Sequence, residues 1–322
     1  MGVTRFPHGI SSMGVPIFGS GPLMTTGKVW FVHGTSGNDG NEGDTQEAPF
    51  KTIDYAVGKC TASQGDIILV MEGSNESITS TILVDVAGIS IIGLGHGQAK
   101  AMITQATSGS DNVMEVSVAN VLIQNIYFKG STTGTSETFI NASAAADNLT
   151  IRNCLFEQNT KNLIAVDITP TADYTIIEGC RFFGVGAGVT YGIKWRNSTV
   201  NANKTYYPII RDCVFNYGGS AGCDTACIGV SMSSGTMVGL LIQDCAFLGL
   251  ADGEKAINPK GQAGTTCTGL LNRVQVLSAD ASDVFVVSNV LGYVDVYAVQ
   301  AGARPFGAAL GSGMAPLLTT AA

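Results

Sequence analysis

Residues 149–158 read LTIRNCLFEQ, and nearly the same phrase returns at 175–184 as TIIEGCRFFG, at 208–217 as PIIRDCVFNY and at 240–249 as LLIQDCAFLG. Aligned on the cysteine, the copies place Ile151, Ile177, Ile210 and Ile242 three positions upstream. Asn153, Gly179, Asp212 and Asp244 stand immediately before Cys154, Cys180, Cys213 and Cys245. Phe156, Phe182, Phe215 and Phe247 follow two positions later. The register extends upstream through VLIQNIYF, with Asn125 in the pre-cysteine column, and then with decay to Ile91, Gly93 and Leu94. Downstream it fades through Leu271, Arg273, Val274 and Val276. Phase positions 94, 126, 154, 180, 213, 245 and 274 give a loose period near 30.

A fixed phrase at a loose period describes a solenoid whose strands keep register while its loops vary. The cysteine and phenylalanine are two apart and share one face of a strand. The residue before them is Asn, Asp or Gly, the types that tolerate a left-handed backbone. The phrase therefore reads strand, one-residue bend, strand. β-Branched residues cluster and no 3.6-residue pattern persists, which disfavours helices. Stacking such coils pairs each strand in parallel with its copy about 4.8 Å away, so like residues form columns. The expected core is a stack of Ile, Cys and Phe, with Asn125, Asn153, Gly179, Asp212 and Asp244 as a turn ladder. Gln124, Arg152, Glu178, Arg211, Gln243 and Asn272 form the outward column.

This pattern resembles the right-handed, pectate-lyase-like parallel β-helix, in which Asn at the bend and apolar stacks inside are usual. The expected fold is all-β, a single-stranded parallel β-helix of about seven or more coils. A short N-terminal helix caps it, and extended arms lie at both ends. Boundaries fall at 1–30 for an N-terminal arm, 31–65 for a capping loop and helix, 66–297 for the coils and 298–322 for a C-terminal tail. In the cap, Phe50, Ile53, Val57 and Cys60 have helical spacing, with Pro49 suited to the first turn. Strands are expected at Asp66–Met71, Thr81–Val86 and Ile89–Ile92. The long insertions 184–207 and 217–236 are expected to protrude as loops.

Charged residues make up 13% of the 322-residue chain, Gly contributes 41 and the net charge is −8. A chain so poor in charge and rich in apolar residues is not of disordered composition. The acidic balance without a Lys/Arg run argues against nucleic acid. No apolar run is long enough for a membrane span, and Pro7, His8, Pro16 and Gly19 interrupt any signal-peptide core.

Several motifs carry residue types suited to chemistry. The repeated cysteines lack CxxC pairing, so a buried thiol column is expected rather than zinc. Cys223 and Cys227, read as loop residues, leave a disulfide open, and Cys60 and Cys267 remain ambiguous. NDGNEGD at 38–44 has oxygen-ligand spacing but lacks the closing Glu of a calcium loop, so a polar turn is expected. His8, His33 and His96 are scattered, and His96 is read into the Phe column of the earliest coil. The carboxylate pairings considered for glycan cleavage are Asp167 with Glu178, and Asp173 with Arg181. Trp30, Trp195, Tyr191, Tyr206 and Tyr207 are candidates for a sugar or protein platform.

The glycine-rich loop, PFKTI helix and GD-strand are similar to the start of many β-helix proteins of phage particles. GVTRFPHGI looks like the VTRFP-type opening of some tailed-phage virion proteins. The resemblance implies a capsid decoration or cement protein on the outer capsid surface, made in the host cytoplasm. It implies a homotrimer docked on the major capsid protein through Arg5, Phe6 and Pro7, without cofactor, metal or enzymatic activity. The alternative is a tailspike or receptor-binding β-helix that binds or degrades host surface polysaccharide. A secreted adhesin is a third reading, weakened by the missing signal peptide.

Overall fold

The computed structural model describes residues 10–12, 15–17, 25–105, 112–130, 138–159, 163–185, 188–196, 204–217, 223–230, 236–250, 255–258, 266–278, 291–294 and 296–300. Among the described residues the chain is an all-β parallel solenoid with three sheets along its length. Ten strands, from Val29–Val32 to Leu291–Val294, form the unbroken path of the first sheet. Nine strands form the second, from Asn75–Ile78 to Tyr297–Gln300, and seven the third, from Ile82–Val84 to Lys255–Asn258. Every pairing in these sheets is parallel; the hairpin of Ile10–Ser12 with Val15–Ile17 is antiparallel.

The phrase sets the register. Ile123, Ile151, Ile177, Ile210 and Ile242 are successive partners in the first sheet and are fully buried. Phe128, Phe156, Phe182, Phe215 and Phe247 are partners in the second. Their rings stack nearly parallel, with centroids 5.1, 4.9, 4.6 and 4.8 Å apart. The repeat distance of a parallel sheet is close to aromatic stacking distance, so one ring per coil gives a continuous pile. Cys154, Cys180, Cys213 and Cys245 are buried free thiols between the two columns. Each Sγ donates to the carbonyl of the isoleucine one coil back, at 3.6–3.8 Å. Burial pushes the thiols of Cys154, Cys180 and Cys213 well above the ordinary range.

Left-handed residues turn each coil from the first to the second sheet. Asn125, Asn153, Gly179, Asp212, Asp244 and Arg273 have φ between 50 and 63°. Gly179 is required sterically as well, because a Cβ there would lie 2.3 Å from Asn153 Oδ1. Outside this bend, Glu178 pairs with both Arg152 and Arg211. Burial raises the Glu178 carboxyl, but the hydrogen bonds from Arg211 and Arg152 outweigh it and hold it below the usual range.

Several expectations are corrected. The stretches 184–207 and 217–236, read as protruding loops, contain third-sheet strands Val189–Trp195 and Cys223–Val230. Cys223 and Cys227 are therefore strand residues. Four positions along one strand separate their Cα atoms by about 13 Å, too far for a disulfide. The earliest coil is also rephased. Residues 94–100 form an extra bend with a short 3₁₀ turn at Gly97–Ala99, so Ala101, not Leu94, precedes the second-sheet strand. Ile103, not His96, lies under Phe128. The helix spans only Ile53–Val57, with Thr52 as N-cap. Phe50 lies before it in a bridge to Val32, and Pro49 lies outside its first turn.

That helix packs against strands Val29–Val32, Ile67–Val70 and Ile82–Val84 at the N-terminal end. Beneath it the phenylalanine column ends in a carboxyl group: Phe128 pairs with Ile103, and Ile103 with Glu76. Glu76 is 5% exposed and accepts from the Ile53 N–H at 3.1 and 3.3 Å. Burial pushes its carboxyl up to about 8, helped by the charges of Asp39 and Asp54 and opposed by the Ile53 N–H.

Phe182→Ala should destabilise the solenoid by about 3–5 kcal/mol in denaturant unfolding, because it opens a cavity within the ring pile. A loss below about 1 kcal/mol would place Phe182 outside that pile. For Glu76, the folded carboxyl binds its proton more tightly than the unfolded one. Its stabilising contribution is full below about pH 4.5 and is lost as pH rises through about 8. Stability should fall across this window with a slope approaching about 1.4 kcal/mol per pH unit. Glu76→Gln should flatten the slope; an unchanged profile would locate the titration elsewhere.

Candidate functional site

A second column of left-handed residues stands three positions before the buried isoleucine column of the first sheet, at the corner with the third. It runs Gly88, Asn120, Asn148, Tyr174, Tyr207 and Gly239, with φ of 74, 61, 55, 57, 52 and 73°. Tyr207 falls between Lys204–Tyr206 and Ile209–Arg211, and Gly239 at a register shift within Thr236–Gln243. Main-chain bonds tie neighbouring corners together: Asn148 N donates to Asp173 O at 2.8 Å, Tyr174 N to Tyr206 O at 2.8 Å and Tyr207 N to Val238 O at 2.7 Å. Asn148 Nδ2 donates to Asn120 Oδ1 at 3.1 Å. Asn and Gly suit such a backbone; a bulky aromatic at positive φ is an outlier. Here two successive coils carry one.

Both rings face solvent. Tyr174 is 49% and Tyr207 51% exposed, with ring centroids 5.9 Å apart and planes 24° from parallel. Tyr206 adds a third ring 6.2 Å from Tyr207. Gly239 makes room for this strip, since a Cβ there would meet Tyr207 Cδ1 at 2.5 Å. Two carboxylates lie behind the rings. Asp147 Oδ1 accepts from Asp173 N, and Asp173 Oδ1 accepts from Tyr206 N, each at 2.8 Å. Burial raises the Asp173 carboxyl, and the Asp147 charge adds to this against the Tyr206 N–H.

The same two coils carry a polar patch on the outer face of the third sheet. Glu115, Asn141, Asp167, Lys194 and Gly229 are successive partners there. Asp167 is 3% exposed, and its Oδ2 accepts from Arg196 Nη2 at 2.8 Å and Nε at 3.1 Å. Arg196 Nη2 also reaches Asn141 Oδ1 at 3.3 Å. Asp167 Oδ1 is buried without a partner among the described residues. A register shift after Val189 turns Tyr191 outward. Its ring lies over Gly229, where a Cβ would be 2.3 Å from Cε1, and Lys194 Nζ sits 5.2 Å from its centroid.

A groove of about 560 Å³ crosses the outer face of the first sheet near its start, lined by Ile67, Ile92, Leu122, Gln124, Asn125 and Arg152. It is largely apolar at one end and joins the charge ladder at the other.

The carboxylate pairings read from the sequence do not form. Asp167 lies on the third sheet and Glu178 on the first; Asp173 lies at a corner and Arg181 on the second sheet. Trp195 is fully buried in the core, and Trp30 packs on Phe50 at 5.6 Å. Tyr206 and Tyr207 join the corner strip and Tyr191 the third-sheet patch. Tyr174 and Arg196 were missed. Tyr174 had a signal: it stands three positions before Ile177, as Asn148 does before Ile151 and Tyr207 before Ile210. In NDGNEGD, Asp39 accepts from the Lys51 and Thr52 N–H groups and from the Thr52 hydroxyl, which fastens the helix cap. His33 Nδ1 accepts from Thr35 N and Ser36 N. Among the described residues no three His, Cys, Asp or Glu side chains converge as metal ligands. Arg5, Phe6, Pro7 and His8 lie outside the described residues, as do positions 301–322.

No protein-family model matches the chain, and no curated protein matches it. Solved structures do. A lacto-N-biosidase from Eubacterium ramulus is similar at 12% identity and TM-score 0.41, over 83% of this chain and 68% of that one. A pectin methylesterase mutant in complex with a hexasaccharide is similar at 13% identity and TM-score 0.43, over 85% and 90%. An Acinetobacter phage tailspike protein is similar at 14% identity and TM-score 0.41, over 77% of this chain and 55% of the tailspike. Likeness at this level is likeness of architecture. The expectation that the chain is not an enzyme is nevertheless corrected, because solenoids similar to it include a glycoside hydrolase and a pectin methylesterase.

If the tyrosine corner is strained for function, removing the strain should stabilise the fold. Tyr174→Asn and Tyr207→Asn, matching Asn148, should each raise stability by about 1 kcal/mol in thermal unfolding. A loss of comparable size would show that the rings serve packing instead.

Proposed function

We propose that this protein is a β-solenoid of tailspike or receptor-binding type that engages a host surface polysaccharide. One observation carries the reading: Tyr174 and Tyr207, half-exposed and side by side, occupy left-handed positions that the same column fills elsewhere with Asn or Gly. Strain of this kind persists where the surroundings fix it, and it clusters at functional sites. Exposed tyrosine strips suit saccharides, whose C–H faces pack on aromatic rings while their hydroxyls bond to neighbouring polar groups. Asp147 and Asp173 stand behind the strip, and the polar patch of the third sheet lies on the same coils. A long rigid rod presents such a strip without ordering cost, which favours binding of an extended chain.

Placement on a virion is supported by the resemblance of GVTRFPHGI to virion-protein openings. The capsid decoration reading rests on Arg5, Phe6 and Pro7, which lie outside the described residues; the exposed tyrosine strip is what favours the tailspike-like reading.

The full chain should bind one or more members of a panel of bacterial capsular and O-antigen polysaccharides. Tyr174→Asn combined with Tyr207→Asn should weaken that binding at least tenfold while the melting temperature holds or rises. Unchanged affinity in the double variant would overturn the assignment of the strip. Appearance of oligosaccharide during incubation would add cleavage to binding.

A further inference from the structure

We infer that the third-sheet patch is an anion subsite, and that the polysaccharide it takes carries acidic groups; this rests on the glycan-binding reading above. The argument begins with Arg196. Its side chain is 43% exposed, yet the direction of its guanidinium is fixed from below. Asp167 is almost wholly buried and accepts two of its N–H bonds, and Asn141 accepts a third contact. A buried carboxylate is costly unless its partner is held well, so this pair is a rigid mount for the arginine. The bonds engage Nε and Nη2. Nη1 makes none among the described residues and is left for a ligand. Lys194 lies two positions earlier, in strand Val189–Trp195. Arg196 follows that strand directly and its N–H continues the ladder to Ile168 O at 2.7 Å, so both side chains leave the same face about 7 Å apart at the backbone. Its ammonium sits over the Tyr191 ring and forms no ion pair among the described residues.

Around Arg196 the balance is two cations, Lys194 and Arg196, over the buried Asp167, with Glu115 two coils beyond Asp167 in the same column, on a chain whose net charge is −8. The open guanidinium edge and the adjacent ammonium match a carboxylate, phosphate or sulfate on a sugar. Tyr191 offers that sugar a ring face beside the charge. Asp167 is here a positioning residue: it aims Arg196 and does not itself meet the ligand.

The test uses acidic polysaccharides, the same polymers after chemical reduction of their carboxyl groups, and sulfated or phosphorylated polymers of similar backbone. The wild-type chain should bind the acidic form at least tenfold more tightly than the reduced form, with affinity falling as salt rises. The phosphorylated and sulfated arms identify which anion is preferred. Lys194→Gln should lower the preference severalfold, and Asp167→Asn with Arg196→Gln, which leaves no unpaired buried charge, should abolish it. Both variants should keep the residual binding of the reduced polymer through the tyrosine corner. Equal binding of native and reduced polymers would overturn the anion subsite and leave the glycan reading standing. Failure to bind any polymer, charged or neutral, would overturn both.

Discussion

One left-handed residue at a fixed place in every coil is the constraint on which the solenoid depends. A bend of this kind turns the chain from one sheet into the next within a single residue, so its position decides which side chains face the bore. Side chains alternate along a strand, and moving a bend by one residue would send the Ile and Phe columns outward. Asn125, Asn153, Gly179, Asp212, Asp244 and Arg273 hold one such bend; Asn120, Asn148, Tyr174, Tyr207 and Gly239 hold another. The columns between them convert this local geometry into stability. Each phenylalanine ring touches its copy at nearly the spacing that the main-chain ladder already imposes, so packing and hydrogen bonding reinforce one register.

The two sheets joined by the cysteine phrase were legible in the sequence because their residues must repeat to stack. Of the third sheet only the first strand was, expected at Thr81–Val86 and found at Ile82–Val84. Strands further along that sheet read TFINA, IAVDI, VTYGIKW and CDTACIGV, with no common phrase. Their inward positions need only be apolar, and their outer positions vary with whatever the surface does. A bulge after Val189 further breaks alternation. The phase error at Leu94 had a similar cause. An extra bend moved the second-sheet strand seven residues downstream, and a spacing argument follows the nearest match. The capping helix was recognised by its apolar spacing, but the same residues serve a bridge and a cap as readily as a longer helix.

Site residues were less legible than fold residues for a physical reason. Core positions are constrained by what they touch in the next coil. Tyr174, Tyr207, Lys194 and Arg196 are constrained chiefly by what they present. Tyr206 and Tyr207 could be noticed as aromatics in a row, whereas Arg196 gained meaning only when Asp167 proved to lie one coil below it. The structure also separated side chains that looked close in sequence, because the eleven positions from Asp167 to Glu178 carry the chain from the third sheet to the first, and the eight from Asp173 to Arg181 carry it from a corner to the second.

The buried thiols have a practical consequence. They stand in single file, one for each of four successive coils, at matched depth and without disulfides. Burial shields all four while the rod is closed, and a thiol-seeking reagent meets them only after a coil has parted. A sequential modification pattern along the file would therefore record where the rod frays first and how far the breach travels. The chain thus carries an internal ruler for its own disassembly.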